Sequence, residues 1–302
     1  MYELIQVGAQ SYYINCPAKI GVYRPDGEQV YIIDSGGDKD AGKKARQVLE
    51  LSGWTLRGML NTHSHADHIG GNAYLQKQTG CRVFAGGMEA AFTRYPVLEP
   101  SVLYGGYPPA QLRHKFLMAQ ESEVTDFSDP AFPREVKIIP LPGHSLDMVG
   151  FRTPDGTVFL GDSLTSPQTL SKYAASFLWN VGAQLETLAL IDGMEAPMFV
   201  PSHAEAGPDM RALTAVNRAH ILAMCDRVET LCDQAMPFDL LLKRFFEQEG
   251  LVMTVEQHAL VGSTLRSYLS YLTAQGRVEI RIEDNTLVWQ RMAKGSPLQG
   301  DR

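Results

Sequence analysis

The stretch His63-Ser64-His65-Ala66-Asp67-His68, which follows the apolar run Gly58-Met59-Leu60, decides how the rest of the chain is read. Four potential metal ligands fall within six residues. A lone histidine is ordinarily structural, satisfied by one backbone hydrogen bond. Four ligand-type side chains this close would each need a desolvated partner of their own. In an extended segment residues two apart point the same way, so His63 and His65 can share one metal. Asp67 and His68 are adjacent, and a turning chain can aim them at a second metal beside the first. Imidazole and carboxylate together suit zinc, with iron or manganese as lesser candidates.

Three further ligands lie downstream, each where a short β-type run leaves the sheet. His144 stands in Leu141-Pro142-Gly143-His144-Ser145, Asp162 in Val158-Phe159-Leu160-Gly161-Asp162-Ser163, and His203 in Phe199-Val200-Pro201-Ser202-His203. Loops at the ends of rigid strands are where metal sites are usually built. Taken singly, Asp162 also reads as a helix N-cap and His203 as a turn residue. Taken with the first motif they make seven ligands, enough for two metals with open positions.

These motifs, in this order, resemble the metallo-β-lactamase superfamily over roughly the first two thirds of the chain. The resemblance implies that His63, His65 and His144 hold one metal, that Asp67, His68 and His203 hold the other, and that Asp162 bridges them. Asp34, in Ile32-Ile33-Asp34-Ser35-Gly36-Gly37, matches the family's early strand-end aspartate, a group that orients a ligand without being one. It reads equally as a turn-forming aspartate before Ser-Gly-Gly. Ala66 stands where the diiron flavoprotein branch carries a glutamate, which disfavours redox diiron chemistry. Asp162 is present where antibiotic-hydrolysing members usually lack a bridging aspartate. The set looks most like the glyoxalase II, lactonase and RNase Z side of the family. The implied fold is a four-layer αβ/βα sandwich.

Two zinc ions in such a site would share a hydroxide of lowered pKa that attacks a carbonyl or a phosphorus. Asp67 would orient that nucleophile and pass a proton to the leaving group. The expected activity is hydrolysis of a small ester, thioester or lactone. A phosphodiesterase or ribonuclease is the alternative, and a non-enzymatic regulator with a vestigial site is a third reading that seven intact ligands argue against.

Length and composition set the frame. The 302 residues suffice for a large domain and a smaller one, placed at 1–207 and 208–302. A net charge of −7 gives no general attraction to nucleic acid or an anionic membrane, and no apolar stretch approaches transmembrane length. Met1-Tyr2-Glu3-Leu4-Ile5-Gln6 has neither a basic start nor a long apolar run, so a cytoplasmic location is expected. Cys16, Cys81, Cys225 and Cys232 form no Cys-x-x-Cys pair and read as reduced core residues.

The pattern alternates strands and helices, an α/β chain of sheets covered by helices. Strands are expected at 20–23, 30–33, 56–61 and 82–85, with helices over 40–51 and 69–78. The stretch from Phe92 to Phe132 breaks this rhythm. Its aromatics suggest an ordered lid or pocket wall, or else a satellite core under a long loop. Tyr104 and Tyr107 are its candidate substrate contacts, with Lys172 and Tyr173 as a second pair beyond Asp162.

From Pro208 onward helical periodicity dominates. A long helix ends at Pro237, a second runs from Phe238 to Gln248, and Thr254-Val255-Glu256-Gln257 is a capping box. The runs 278–282 and 286–289 read as a terminal hairpin, so this mostly helical part looks like a winged helix. Arg266, Arg277, Arg281 and Arg291 are cancelled by Glu256, Glu279, Glu283 and Asp284, so nucleic-acid binding is disfavoured. Packing on the catalytic part, or homodimer formation, is the expected role of its apolar stripe.

Overall fold

The computed structural model describes residues 2–172 and 175–293. Two sheets form the middle of the molecule. The first contains β1 (Glu3–Gln6), β2 (Ser11–Asn15), β3 (Ile20–Tyr23), β4 (Gln29–Ile33), β5 (Thr55–Leu60), β6 (Arg82–Phe84) and β7 (Val124–Thr125), in chain order. Its strands are antiparallel up to β4 and parallel from β4 to β7. The second sheet has β8 (Lys137–Pro140), β9 (Val149–Arg152), β10 (Val158–Thr165) and β11 (Phe199–His203), with β10 and β11 parallel. The helices are α1 (Lys39–Leu51), α2 (Ala66–Ile69), α3 (Asn72–Thr79), α4 (Gly87–Arg94), α5 (Leu98–Tyr104), α6 (Pro167–Lys172), α7 (Val181–Asp192), α8 (Arg211–Leu231), α9 (Phe238–Gln248) and α10 (Val255–Ala274).

Side-chain alternation along the strands produces the layers. On β4, Tyr31 and Ile33 face the second sheet and pack with Phe84, Phe151, Phe159 and Val200. Val30 and Ile32 point the other way, onto Ala45 and Leu49 of α1 and Leu75 of α3. On β10, Phe159 joins the inter-sheet core while Val158 and Leu160 face α7 and α8. The result is the expected four-layer sandwich of helix, sheet, sheet and helix.

Asp38 caps α1, its carboxylate accepting from the Ala41 N–H at 2.9 Å. The single helix expected over 69–78 is two, α2 and α3, divided at Gly70 and Gly71. A β-carbon on Gly70 would come within 2.3 Å of the Gly37 carbonyl, and one on Gly71 within 2.4 Å of the Ser35 carbonyl oxygen. The turn after β4 therefore presses directly on the helix that follows the ligand motif.

The C-terminal elements are α8 to α10 and a small sheet ordered β12 (Met236–Pro237), β14 (Thr286–Arg291), β13 (Val278–Glu283). The hairpin turns at Asp284 and Asn285, both at positive φ, as a two-residue turn requires. Tyr268, Leu269 and Leu272 of α10 are fully buried in one core with Met224 and Val228 of α8, Leu188 of α7 and Leu160 of β10. The apolar stripe of this region is thus covered by the chain's own sandwich.

Candidate metal centre

The ends of β4, β5, β8 and β11 and the middle of β10 meet at one edge between the sheets. His63 follows β5, and His65 stands just before α2 in an extended conformation. Asp67 and His68 lie in the first turn of α2. Asp162 does not sit where its strand ends, because β10 continues to Thr165. A bulge at Gly161, with φ +53°, shifts the register and turns the aspartate toward the site. Gly143 positions the loop of His144. It has φ +129°, and a β-carbon there would come within 2.4 Å of the Gln184 backbone.

Two groups of donors converge, His63 with His65 and His144, and Asp67 with His68, Asp162 and His203. In the first, His65 Nδ1 lies 3.0 Å from both His63 Nε2 and His144 Nε2. One ring proton cannot serve two such contacts well, and the spacing is close to the edge of a tetrahedron of roughly 2.0 Å metal–nitrogen bonds. In the second, Asp162 Oδ1 lies 3.0 Å from His68 Nε2 and Asp162 Oδ2 3.3 Å from His203 Nε2. Asp162 Oδ2 is also 3.5 Å from His144 Nε2, so this carboxylate touches both groups. Asp67 Oδ2 approaches His203 Nε2 at 3.2 Å, with its side chain half exposed.

The donor chemistry fits divalent metal. His68 Nε2 and Asp162 Oδ1 are buried and face each other, yet neither has a hydrogen-bond partner among the described residues. Burial, then the neighbouring rings, holds His63 well below the usual histidine range and His144 at about 3. Both rings are therefore neutral, the form that binds metal. The second group carries the charge. Burial opposes ionisation of Asp67 and Asp162, but His68 and His203 hold both carboxyls below the usual range. Asp162 foremost raises His203 to about 10. Burial opposes a charge on His68, yet Asp162, Asp67 and Asp34 raise it well above its ordinary value. A cation between these carboxylates would replace the imidazolium protons.

Partners behind the ligands fix their ring orientation. Asp34 is buried at φ +62°, unusual for a non-glycine residue. Its carboxylate accepts from the Thr62 N–H at 2.8 Å and the Thr62 hydroxyl at 2.7 Å, and lies 2.8 Å from His68 Nδ1. The Thr62 oxygen is 3.0 Å from His63 Nδ1, and the Phe177 carbonyl 3.2 Å from His144 Nδ1. Two acids that the sequence reading passed over, Glu89 and Glu99, belong to this surround. Each stands among ordinary helical residues, and no sequence signal separates it from a surface glutamate.

Neither Tyr104 nor Tyr107 lines the wall beside His65. Tyr104 and Tyr107 are 54% and 74% exposed, and the Tyr107 hydroxyl accepts from Arg113. The wall beside His65 is built by Phe92, Val102, Leu103, Phe177 and Trp179. The segment after Phe92 thus supplies both a wall and a satellite core, in which Leu103, Leu112 and Leu117 pack on Ala259 of α10. Lys172 ends α6 on the surface, and Tyr173 lies outside the described residues.

With this geometry in place, comparison with known proteins defines the class. Residues 14–203 match the family model of the metallo-beta-lactamase superfamily, and the chain belongs to that superfamily. It is 24% identical over 202 residues to the probable metallo-hydrolase YybB of Bacillus subtilis (strain 168), covering 64% of this chain and 84% of that protein. It is 29% identical over 188 residues to a hydroxyacylglutathione hydrolase of Methylococcus capsulatus, covering 61% and 63%. A second hydroxyacylglutathione hydrolase, from Rhodospirillum rubrum, is 28% identical over 154 residues, and there the match spans about half of each chain. Among solved structures, a beta-lactamase domain protein from Burkholderia ambifaria superposes with a TM-score of 0.69 at 16% identity, over 96% of this chain and 94% of that one. The fold likeness therefore extends past residue 203 into the C-terminal helices. Family and relatives support a metal-dependent hydrolase, and the histidine–aspartate cluster implies divalent metal. No helix among the described residues is long and apolar enough to cross a membrane.

Proposed function

We propose that this chain is a binuclear zinc hydrolase of a small thioester, ester or lactone. The observation behind this reading is the pairing of a three-histidine group with an acidic group through one shared carboxylate, Asp162. His63, His65 and His144 would hold one metal, Asp67, His68 and His203 the other, with Asp162 between them. When bound, such a pair supplies an acidified water and a Lewis acid for the substrate's carbonyl oxygen. Asp67, the most exposed of these carboxylates, orients the water and moves its proton toward the leaving group. Phe177, Trp179 and Val102 shape an apolar wall for the acyl part beside His65. Val102 and Trp179 also border a groove of about 820 Å³ reaching Ser263, Arg266 and Tyr271 of α10, which would take the non-reacting end.

The resemblance to relatives named hydroxyacylglutathione hydrolase supports acyl transfer to water over phosphoryl transfer, with thioesters as the first candidates. Local charge pairing supports the same order. Arg277 pairs with Asp226 and Glu229, and Arg281 with Glu279 and Glu283, so these two arginines offer little to phosphates. The test is a panel of thioesters, lactones, phosphodiesters and RNA given to metal-loaded protein. Turnover confined to phosphodiesters or RNA would overturn the proposal.

A further inference from the structure

We propose that the α4–α5 helix pair is a clamp for the three-histidine metal site, with Glu89 and Glu99 as its positioning residues. Glu89 is 2% exposed and sits between the two loops that carry that site's ligands. Its Oε2 accepts from the Ser64 N–H at 2.9 Å and the Ser64 hydroxyl at 2.6 Å. Its Oε1 accepts from the Ser145 hydroxyl at 2.6 Å and the Asp147 N–H at 3.0 Å. Ser64 lies between His63 and His65, and Ser145 follows His144. One buried carboxylate therefore ties together the segments of all three histidines. The tie is returned from the other side, where the Met88 N–H at the start of α4 donates to Asp147 at 2.8 Å.

Glu99, on α5, acts on the remaining free face of the group. His65 turns its Nδ1 toward His63 and His144, so its Nε2 points away from the metal position. Glu99 Oε1 lies 3.6 Å from that Nε2. This is the side from which a carboxylate orients a ligating histidine.

Glu89→Gln is a selective probe of the clamp. Two of the four donors to Glu89 are backbone N–H groups, one at each oxygen, and these cannot become acceptors. Either orientation of the amide sets its NH₂ against one of them and opens one side of the tie. The inference rests on the two-metal reading, so each site is titrated separately with cobalt(II) against a chelator. His203→Ala protein keeps the three-histidine group, and His144→Ala protein keeps the acidic one.

In the His203→Ala background, Glu89→Gln should weaken cobalt binding about 10- to 100-fold and shift the visible band, against less than about threefold in the His144→Ala background. Glu99→Gln should act in the same direction, and Ser145→Ala provides a milder variant should Glu89→Gln not fold. Equal weakening in both backgrounds, or none in either, would overturn the clamp while leaving two metals in the wild type. A wild type that takes up fewer than two cobalt ions would overturn the two-metal reading and the clamp with it.

Discussion

The two donor groups should differ in how protons compete with metal, which can be tested by changing pH alone. His203 is held at about 10. At pH 7 it carries a proton that a metal must displace, and three units correspond to about 4 kcal/mol, or about a thousandfold in apparent affinity. His68 is also raised, so a second proton can leave with it. His63 and His144 lie below their usual range, the latter at about 3, so at neutral pH those rings have none to lose. The sign follows directly, because a raised pKa means that protonation opposes loading until pH climbs through that value. Between pH 6 and pH 9, affinity at the Asp67–His68–His203 group should rise about tenfold to a hundredfold per unit, more steeply than at the three-histidine group, where His63 and His144 have no proton to lose. Chelator-competition titrations at four pH values measure both slopes, and calorimetry in two buffers of different ionisation enthalpy counts the protons released. Equal slopes at the two sites, or a steeper slope at the three-histidine site, would refute the reasoning.

Asp162→Ala should lose two-metal occupancy and reduce hydrolysis by at least about a hundredfold while the circular dichroism of the fold survives, since each metal keeps three other ligands. Asp34→Asn keeps a residue that tolerates φ +62°, so it should fold, yet weaken metal binding about tenfold by loosening His68, as read by chelator competition. Leu269→Ala removes a fully buried side chain from the core shared by α8 and α10 and should cost about 2–5 kcal/mol in denaturant unfolding. Ending the chain near Asp233 strips that core of α9 and α10 and should produce aggregation on size-exclusion chromatography, and full-length protein should bind DNA and RNA weakly at physiological salt.

The site was legible where chemistry is concentrated in the chain. His63, His65, Asp67 and His68 announce themselves because no core needs four such groups together, and His144, Asp162 and His203 each follow a recognisable apolar run. The surround was less legible because it is assembled through space. Glu89 is 25 residues from Ser64 and 56 from Ser145, and nothing local marks it as buried. Tyr104 is exposed for a rotational reason. Leu103 faces the core of α5, and the next residue on a helix points about 100° away, into solvent here. The break between α2 and α3 falls at Gly70-Gly71, a breaker signal that the helical reading of 69–78 ran through, and the turn at residues 35–37 packs against it. In the C-terminal part the hairpin was readable from Asp284-Asn285, whereas β12, two residues long, was not.

The most direct test titrates zinc into metal-free protein while following hydrolysis of a panel thioester. Two donor groups joined by Asp162 predict a rate that climbs steeply and levels at two equivalents of zinc per chain, with Asp162→Ala showing no such plateau. A rate that saturates at one equivalent, or a thioesterase activity indifferent to zinc, would contradict the account.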